Sequence, residues 1–127
     1  MQPEIAGLPY LLGDVVADNI RWAPDEPALI FGDHVRSWTE FGADMARIQQ
    51  GLTALGIGHG SRVAMLDRNS DEYVLLGYAL AGMGAVLVPV NMWLRASEIS
   101  YILNNCQPRL VVTSSEFHAL ALEAIEP

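Results

Sequence analysis

Arg62-Val-Ala-Met-Leu66 is a short apolar run, and two similar runs follow it, Ala85-Val-Leu-Val-Pro-Val90 and Arg109-Leu-Val-Val-Thr113. Segments of helical length separate the three runs. Short buried strands that alternate with helices are typical of a parallel sheet with crossover helices. We therefore predict an α/β fold for residues 62–113, in which all three strands point one way. Ligands are expected at the carboxyl ends of such strands.

A helix and a hairpin are predicted before the first of these strands. Apolar residues spaced by three and four predict a helix that is capped by Asp14 and ends near Trp22. Two strand-like runs flank Gly32-Asp33-His34, which predicts a β-hairpin. Ser37 and Glu40 match the capping box that begins a helix. The apolar stripe of that helix is expected to face the core: Phe41, Met45, Ile48, Leu52 and Leu55.

Further helices are predicted between and after the strands. Asn69, with Glu72 three residues later, is expected to cap a helix that is apolar on all sides and therefore buried. The last helix is expected to begin near Ser115 and to bury Ile125. These elements predict a three-layer sandwich on a mainly parallel sheet, preceded by a helix and a β-hairpin. Residues 1–127 are expected to form a single unit.

The composition restricts the partners and the chemistry. A formal net charge of -8 disfavours nucleic acid and anionic membrane surfaces as partners. All seven basic residues are arginines, so the sequence has no lysine for a Schiff base or a phosphate contact. Hydrophobic residues make up 51% and charged residues only 17% of the chain. This balance leads us to expect exposed apolar surface that self-association or further polypeptide covers.

Three features bear on localisation. The single Cys106 forms no internal disulfide and fits a reducing, cytoplasmic setting. The N-terminus shows no basic region followed by an apolar run, so we expect no signal peptide. The stretch from Tyr73 to Leu94 has no charged residue and is long enough to cross a bilayer. Because Gly82 and Pro89 interrupt it, we interpret it as a buried helix followed by a strand, with no membrane span.

Most candidate chemical motifs have a simpler explanation. Gly56, Gly58 and Gly60 follow a helix and precede a strand, the reverse of a dinucleotide-binding motif, so we interpret them as a helix end and a turn. The three histidines lie on separate predicted elements, so we expect no metal site. We find no paired general acid and base and expect no catalytic residue here.

The turn Asn91-Met92-Trp93 is the remaining candidate site. It follows the second of the three strands, which we expect at the centre of the sheet. An amide, a thioether and an indole together are suited to hold an adenine or a thioester arm. The alternative interpretation is a loop in which Trp93 packs against the neighbouring helix.

Eight short stretches between Val15 and Ile125 follow the order and spacing of a known family. They are Ser37-Trp-Thr-Glu-Phe41, Leu55-Gly-Ile-Gly58, Gly60-Ser-Arg-Val-Ala64, Asn69-Ser-Asp-Glu-Tyr73, Ala81-Gly-Met-Gly-Ala-Val86, Val88-Pro-Val-Asn91, Glu98-Ile-Ser-Tyr-Ile-Leu103 and Arg109-Leu-Val-Val-Thr113. On these stretches the chain resembles the N-terminal portion of the adenylate-forming (AMP-binding) superfamily, which includes acyl-CoA synthetases.

The resemblance implies an ATP-dependent acid–thiol ligase. In that family a carboxylic acid attacks the α-phosphate of ATP with Mg²⁺, and the thiol of CoA then displaces AMP from the acyl-adenylate. The sequence around Met92 and Trp93 looks most like fatty or aryl acyl-CoA ligases, some of which contact CoA with the loop that aligns on Asn91, Met92 and Trp93. Some also use arginines in the segment after Thr113, where Ala119 and Leu122 stand here.

Several family motifs are absent from these 127 residues: the phosphate-binding loop, the adenine and ribose motifs, and the C-terminal lysine. The resemblance therefore implies that this piece alone is inactive and binds no cofactor tightly. The alternative is a non-catalytic module that binds CoA or a nucleotide, or that serves as an interaction module. A small Rossmann-type oxidoreductase is disfavoured by the reversed glycine context.

Overall fold

A computed structural model describes residues 11–126, which form five helices and five strands. In chain order these are α1 (Leu12–Trp22), β1 (Pro27–Phe31), β2 (His34–Ser37), α2 (Trp38–Ala54), β3 (Arg62–Leu66), α3 (Asp71–Gly82), β4 (Val86–Val90), α4 (Ala96–Cys106), β5 (Leu110–Thr113) and α5 (His118–Ile125). The expectation about a signal peptide falls partly on residues 1–10, which lie outside this description.

The three apolar runs form one parallel sheet, as predicted, with the strand order β4-β3-β5. In its register, Ala64 of β3 pairs with Val88 of β4 and with Val111 of β5. The expectation that the second strand, β4, lies at the centre is wrong. It lies beside β3 at the edge, because the connection through α4 returns past β3 and adds β5 on the far side. The burial agrees, since Val63 to Leu66 are all buried whereas β4 is partly exposed.

Helices cover both faces of this sheet. Val63 and Met65 point into a cluster with residues of α2 and α3, and Ala64 and Leu66 point into a cluster with residues of α4 and α5. Successive residues of a strand point to opposite faces, so one continuous apolar strand serves two cores. The predicted α/β three-layer sandwich is confirmed.

The helix and hairpin that precede the sheet pack on the outer side of α2 and α3. Val16, Phe41 and Leu75 are the buried centre of this third cluster. The ring of Phe41 meets the ring of Tyr78 edge to face, with centroids 5.4 Å apart. Ala28 and Leu29 of β1 pack against the same cluster, which connects the hairpin to α3, the helix that follows the central strand.

One predicted helix start has the expected chemistry, and a second has it in part. The Glu40 N–H donates to Ser37 Oγ at 3.2 Å, and the Ser37 N–H donates to the Glu40 carboxylate at 2.8 Å, which is the predicted capping box. The Asp14 carboxylate accepts the Leu11 N–H at 2.7 Å. Asp14 lies inside the first turn of α1, however, so it supports that helix start without being its cap residue.

Two other helix starts differ from the prediction. Ser70, not Asn69, caps α3, because Ser70 Oγ accepts the Tyr73 N–H at 3.2 Å. The helix α5 begins at His118 and not near Ser115. Residues 114–117 form a turn instead, in which the Phe117 N–H donates to the Ser114 carbonyl at 3.2 Å. The helix therefore begins only after this turn.

Two apolar residues that were expected in the core are exposed. Leu55 is 66% exposed and Ile125 is 55% exposed. Leu55 directly follows α2, where Gly56 adopts a φ of 77° and turns the chain away, and Ile125 is the last residue of α5. The helical spacing of apolar residues predicted that the buried stripe of each helix includes these two residues. The backbone leaves the core before it reaches them.

The uncharged stretch from Tyr73 to Leu94 folds as most of α3, a turn and β4, in agreement with its interpretation as a buried helix and strand. The turn contains Gly84 at a φ of 66°. Among residues 11–126, none of the helices has both the length and the apolar character needed to cross a bilayer.

Candidate functional site

The loop after β4 is fixed by short-range hydrogen bonds. Asn91 Oδ1 accepts the Trp93 N–H at 3.0 Å, and the Asn91 carbonyl accepts the Leu94 N–H at 3.3 Å. An asparagine side chain that bonds the backbone two residues later forms an Asx turn. The Arg95 N–H then donates to the Glu98 carboxylate at 2.8 Å, where α4 begins. These hydrogen bonds within the loop give its backbone a defined shape.

The three candidate residues of this loop have different surroundings. Met92 is half-buried and packs against the cluster that contains Leu66 and Val90. Asn91 is exposed, and Trp93 is 77% exposed. The alternative interpretation, in which Trp93 packs on the neighbouring helix, is therefore wrong. The Asx turn directs the chain outward at this point and leaves the indole in solvent.

A depression of about 330 Å³ lies where β3 and β4 end, and the loop forms one of its walls. Its lining consists of residues that follow β3 and residues at the end of β4: Asp67, Asn69, Tyr73, Pro89, Val90, Asn91 and Met92. Neighbouring parallel strands have their carboxyl ends at the same edge of the sheet. The residues that follow β3 therefore lie beside those at the end of β4. The volume is at the lower end of the range for small-molecule sites. Asn91 and Met92 line the depression, whereas Trp93 does not.

Three lining residues were not identified as site residues from the sequence: Asp67, Asn69 and Tyr73. Asn69 was interpreted only as a helix cap, and Tyr73 only as the start of the uncharged stretch. The available signal was their position directly after β3, the strand whose residues are buried throughout. A strand that is buried on both faces is expected to be central, and its carboxyl end is then the first place to look for a ligand.

The depression offers hydrogen-bonding groups and one carboxylate. Burial raises the pKa of the Tyr73 phenol, and the charge of Asp67 raises it further. The phenol is therefore protonated at neutral pH and is able to donate a hydrogen bond to a ligand. The Asn69 and Asn91 amides add neutral donors and acceptors. No nucleophile stands beside a general base here, so these groups are suited to binding and not to bond cleavage.

A second feature of the same edge lies between β3 and β5. The chain leaves β3 toward α3 on one face of the sheet and leaves β5 toward α5 on the other face. The strand order also reverses here, because β3 connects to its neighbour β4 on one side whereas β5 is added on its other side. Such a topological switch point is where open α/β sheets bind ligands. The expected site after β4 therefore lies one strand away from the switch point.

Two side-chain links bridge this switch point. Ser114 Oγ donates to Asp67 Oδ1 at 2.9 Å. Arg68 donates to the Glu116 carboxylate through Nε at 3.0 and 3.1 Å and through Nη2 at 2.6 Å. The hydrogen bond from Arg68 lowers the pKa of Glu116, so that the carboxylate is charged at neutral pH.

An ion-pair network fixes the helix that carries Tyr73. Arg36, on β2, donates through Nε to Asp44 Oδ2 at 2.8 Å and contacts the carboxylate of Asp71 through Nη1. Arg47 contacts the other oxygen of Asp44. Asp71 is only 5% exposed and is the first residue of α3. The hairpin therefore anchors the start of α3 through a nearly buried charge pair.

The pKa values of these acids are lowered by the arginines. Hydrogen bonds from Arg36 and Arg47 lower the pKa of Asp44. Burial by itself raises the pKa of Asp71, but the hydrogen bonds with Arg36 and Glu72, the positive charge of Arg36 and a backbone hydrogen bond together outweigh it, and the net shift is downward. Both acids are therefore ionised throughout the neutral range. No local pattern along the chain predicts this network, since its partners lie on three different elements.

The remaining candidates from the sequence show no built site. Within residues 11–126, no group of three histidine, cysteine, aspartate or glutamate side chains is arranged to hold a metal ion. The Cys106 thiol is half-buried, and its Sγ lies 3.9 Å from the Leu103 carbonyl within α4. Gly56 and Gly60 adopt positive φ values of 77° and 76°, consistent with a helix end and a turn.

Comparison with known sequences places the chain among AMP-binding enzymes, whose family profile matches residues 16–127. Crotonobetaine/carnitine–CoA ligase of Salmonella paratyphi A is 31% identical over 124 residues, which cover 87% of this chain and 24% of that protein. The long-chain-fatty-acid–CoA ligase FadD13 of Mycobacterium tuberculosis is 49% identical over 61 residues, which cover 48% of this chain and 12% of that protein. The chain thus spans a quarter or less of the length of these curated relatives.

Comparison with solved structures gives a consistent result. The crystal structure of the N-terminal domain of FACL13 from Mycobacterium tuberculosis superposes with a TM-score of 0.83 and 32% sequence identity. The match covers 88% of this chain and 29% of that one. The sheet, the hairpin and the helices described above therefore recur together in a solved relative.

Proposed function

This chain belongs to the AMP-binding enzyme family, and we propose that residues 1–127 are part of the N-terminal subdomain of an ATP-dependent CoA ligase. The observation that carries the proposal is the family match over residues 16–127, supported by the 0.83 TM-score to the FACL13 domain. The proposed substrate is a fatty or aryl carboxylic acid, activated as an acyl-adenylate and transferred to CoA. The name of one relative, a long-chain-fatty-acid–CoA ligase, supports the fatty acid part of this substrate class.

These residues by themselves do not supply the chemistry of adenylation. Stabilising the charge of a transferred phosphoryl group takes cationic groups and a bound metal ion. The sequence has no lysine, and the depression holds a carboxylate and neutral groups. We therefore expect ATP, Mg²⁺ and CoA to be used by a whole ligase, and we expect this chain alone to bind none of them tightly. Carboxylate-dependent exchange between ATP and pyrophosphate, catalysed by this chain alone, would overturn that statement.

Within the proposed ligase, Asn91, Met92 and Trp93 form a CoA-facing loop. The exposed indole of Trp93 presents a flat surface on which an adenine ring can stack. The half-buried Met92 supplies an adaptable apolar contact, and the Asx turn at Asn91 holds both in place. The protonated Tyr73 phenol and the Asn69 amide offer hydrogen bonds to the ligand in the adjoining depression.

Titration with CoA, followed by tryptophan fluorescence, tests this role. We expect weak binding that changes the fluorescence of the wild-type chain and that W93A abolishes. The matched control is W22A, because Trp22 is 80% exposed but lies at the end of α1. Equal responses of W93A and the wild type would contradict the assignment of the loop. If W22A also loses the fluorescence change on addition of CoA, that change is a nonspecific effect.

The same titration separates the ligase from a non-catalytic module. Binding of CoA by this chain, together with acid-dependent ATP–pyrophosphate exchange by the product of the complete reading frame, supports the ligase. Binding of CoA with no exchange by that complete product supports a module that only binds CoA or a nucleotide.

The partner is proposed to be further ligase polypeptide or a second copy of this chain. An apolar groove of about 530 Å³ runs between α3, the start of β4 and Leu12 of α1. Its lining includes the exposed residues Val74 and Val86 and contains no charged side chain. Sedimentation that shows a stable monomer of this chain would contradict self-association.

The proposed location of the protein is the cytoplasm, on the basis of the unpaired Cys106.

The backbone of β4 restricts how such a partner docks. The Val86 N–H donates to the Ser61 carbonyl at 2.8 Å, toward β3. Since alternate residues face alternate sides, Leu87 and Pro89 present their backbone to the open edge. Pro89 has no N–H to donate, so this edge is poorly suited to accept another strand. The partner is therefore expected to contact side chains of the groove.

A further inference from the structure

We propose that Arg68 is the anchor of an oxyanion site at the switch point between β3 and β5, and that Glu116 is its internal occupant. A phosphate or carboxylate group of a ligand binds Arg68 by taking the place of the Glu116 carboxylate. This inference goes beyond the proposed ligase and does not depend on it, because its test uses simple anions.

The first argument is the geometry of the arginine. Arg68 already holds one carboxylate through two nitrogens, with Nε–oxygen distances of 3.0 and 3.1 Å and an Nη2–oxygen distance of 2.6 Å. A guanidinium in this arrangement matches the planar pair of oxygens of a carboxylate or two oxygens of a phosphate. The Arg68 guanidinium is thus already oriented to bind the carboxylate or phosphate group of a ligand.

The second argument is the support under the guanidinium. The Arg68 carbon Cζ lies 5.7 Å from the centroid of the Phe117 ring. Phe117 is 9% exposed and belongs to the core cluster with Ala64 and Leu66. A guanidinium above an aromatic ring is attracted to it, so Arg68 keeps its position when Glu116 moves away.

The third argument is the ease of exchange. The side chains of Arg68 and Glu116 are 53% and 52% exposed, so solvent and ligands reach the pair. An exposed ion pair is worth about 0.2 to 1 kcal/mol, which corresponds to about a 1.4- to fivefold factor in affinity. Displacing Glu116 is therefore a small cost for a ligand that makes further contacts at this edge.

The location is the fourth argument. Of the arginines in residues 11–126, Arg68 and Arg95 lie at the carboxyl edge of the parallel sheet, whereas Arg62 and Arg109 lie at its amino edge. Arg68 is the one of these that stands at the switch point. Ser114 Oγ, which donates to Asp67 beside it, adds a hydroxyl to the same crevice.

Titration with inorganic phosphate and, separately, with acetate at constant ionic strength tests the proposal. The readout is the NMR shift of the Arg68 Nε–H and of the backbone amides of residues 114–117. We expect E116Q to bind the preferred anion about 1.4- to fivefold more tightly than the wild type. R68Q is expected to lose the response, and circular dichroism verifies that it is folded.

Two matched variants serve as controls. E123Q removes a charge from the exposed surface of α5, and R62Q removes a cation from the other end of β3. Both are expected to respond as the wild type does. An equal gain in E123Q and E116Q would overturn the proposal, since it would reflect net charge alone. If phosphate alone produces a response, the ligand is a phosphoryl group. If acetate produces a response, the ligand is a carboxylate. The absence of a response to either anion overturns the proposal.

Discussion

The Arg36 guanidinium contacts the nearly buried carboxylate of Asp71, and this ion pair joins the β1–β2 hairpin to the first turn of α3. Asp71 stands two positions before Tyr73, which lines the depression at the carboxyl edge of the sheet. A structural element that precedes the sheet in sequence thus determines where one wall of the candidate site lies. The stability of the fold and the shape of the site are expected to share this dependence.

Replacing Arg36 by methionine is expected to destabilise the protein by about 2 to 3 kcal/mol. The substitution keeps much of the side-chain volume but leaves the Asp71 carboxylate buried without a cationic partner. Urea unfolding followed by circular dichroism measures the change. The matched control is R47M, because Arg47 is 74% exposed and is expected to contribute less than about 0.5 kcal/mol. Equal losses in the two variants would contradict the importance of the buried pair.

The same network predicts a particular dependence of stability on pH. Asp44 and Asp71 have folded-state pKa values below the ordinary value of 3.8. Their contribution is therefore complete above pH 3.8 and is lost as the pH falls through the lowered values. D71N is expected to show a shallower decrease of the unfolding free energy below pH 3.8 than the wild type. Parallel pH profiles of the two proteins would contradict this account.

Gly84 is expected to tolerate a side chain less well than Gly32. Both have positive φ values, 66° and 58°, so alanine costs about 1 kcal/mol at either position. A Cβ on Gly84 would also lie 2.5 Å from Cδ2 of His59, whereas a Cβ on Gly32 would meet nothing within 4 Å. G84A should therefore cost more than G32A. In an H59A background the excess should disappear, and an excess that persists there would exclude His59 as its cause.

Leu80 is expected to contribute strongly to the core between α3 and the sheet. It is 0% exposed and lies in the cluster with Val63 and Met65. L80A should lower the unfolding free energy by about 2 to 5 kcal/mol, because the space it leaves is not refilled. The matched control is L122A on α5, where Leu122 is 47% exposed and the expected loss is below about 1 kcal/mol. A loss at Leu122 as large as that at Leu80 would contradict the assignment of this core.

The sequence was a good guide wherever the physical cause is local. The capping box of Ser37 and Glu40 involves residues three apart, and both of its hydrogen bonds are present. The candidate loop was also located correctly at the end of a strand, and two of its three residues line the depression. The prediction was less accurate for Leu55 and Ile125, because helical spacing does not show where the backbone departs from the core.

The rest of the site could not be predicted from local patterns. Asp67 and Ser114 are 47 residues apart, and Arg68 and Glu116 are 48 residues apart, yet both pairs are hydrogen-bonded. Their proximity follows from the pairing of β3 with β5. No periodicity along the chain reports which strand lies beside which, so neither link had a signal in the sequence.

Local patterns were sufficient to predict the type and order of the elements, because short apolar runs and helix caps act over a few residues. The helix-length segments between the runs also predicted that the three strands point the same way. The tertiary structure alone decided that β3 is central, that the switch point lies between β3 and β5, and that Arg36 meets Asp71. These arrangements depend on burying two faces of one sheet at once. Such burial is a property of the whole chain, and no single segment specifies it.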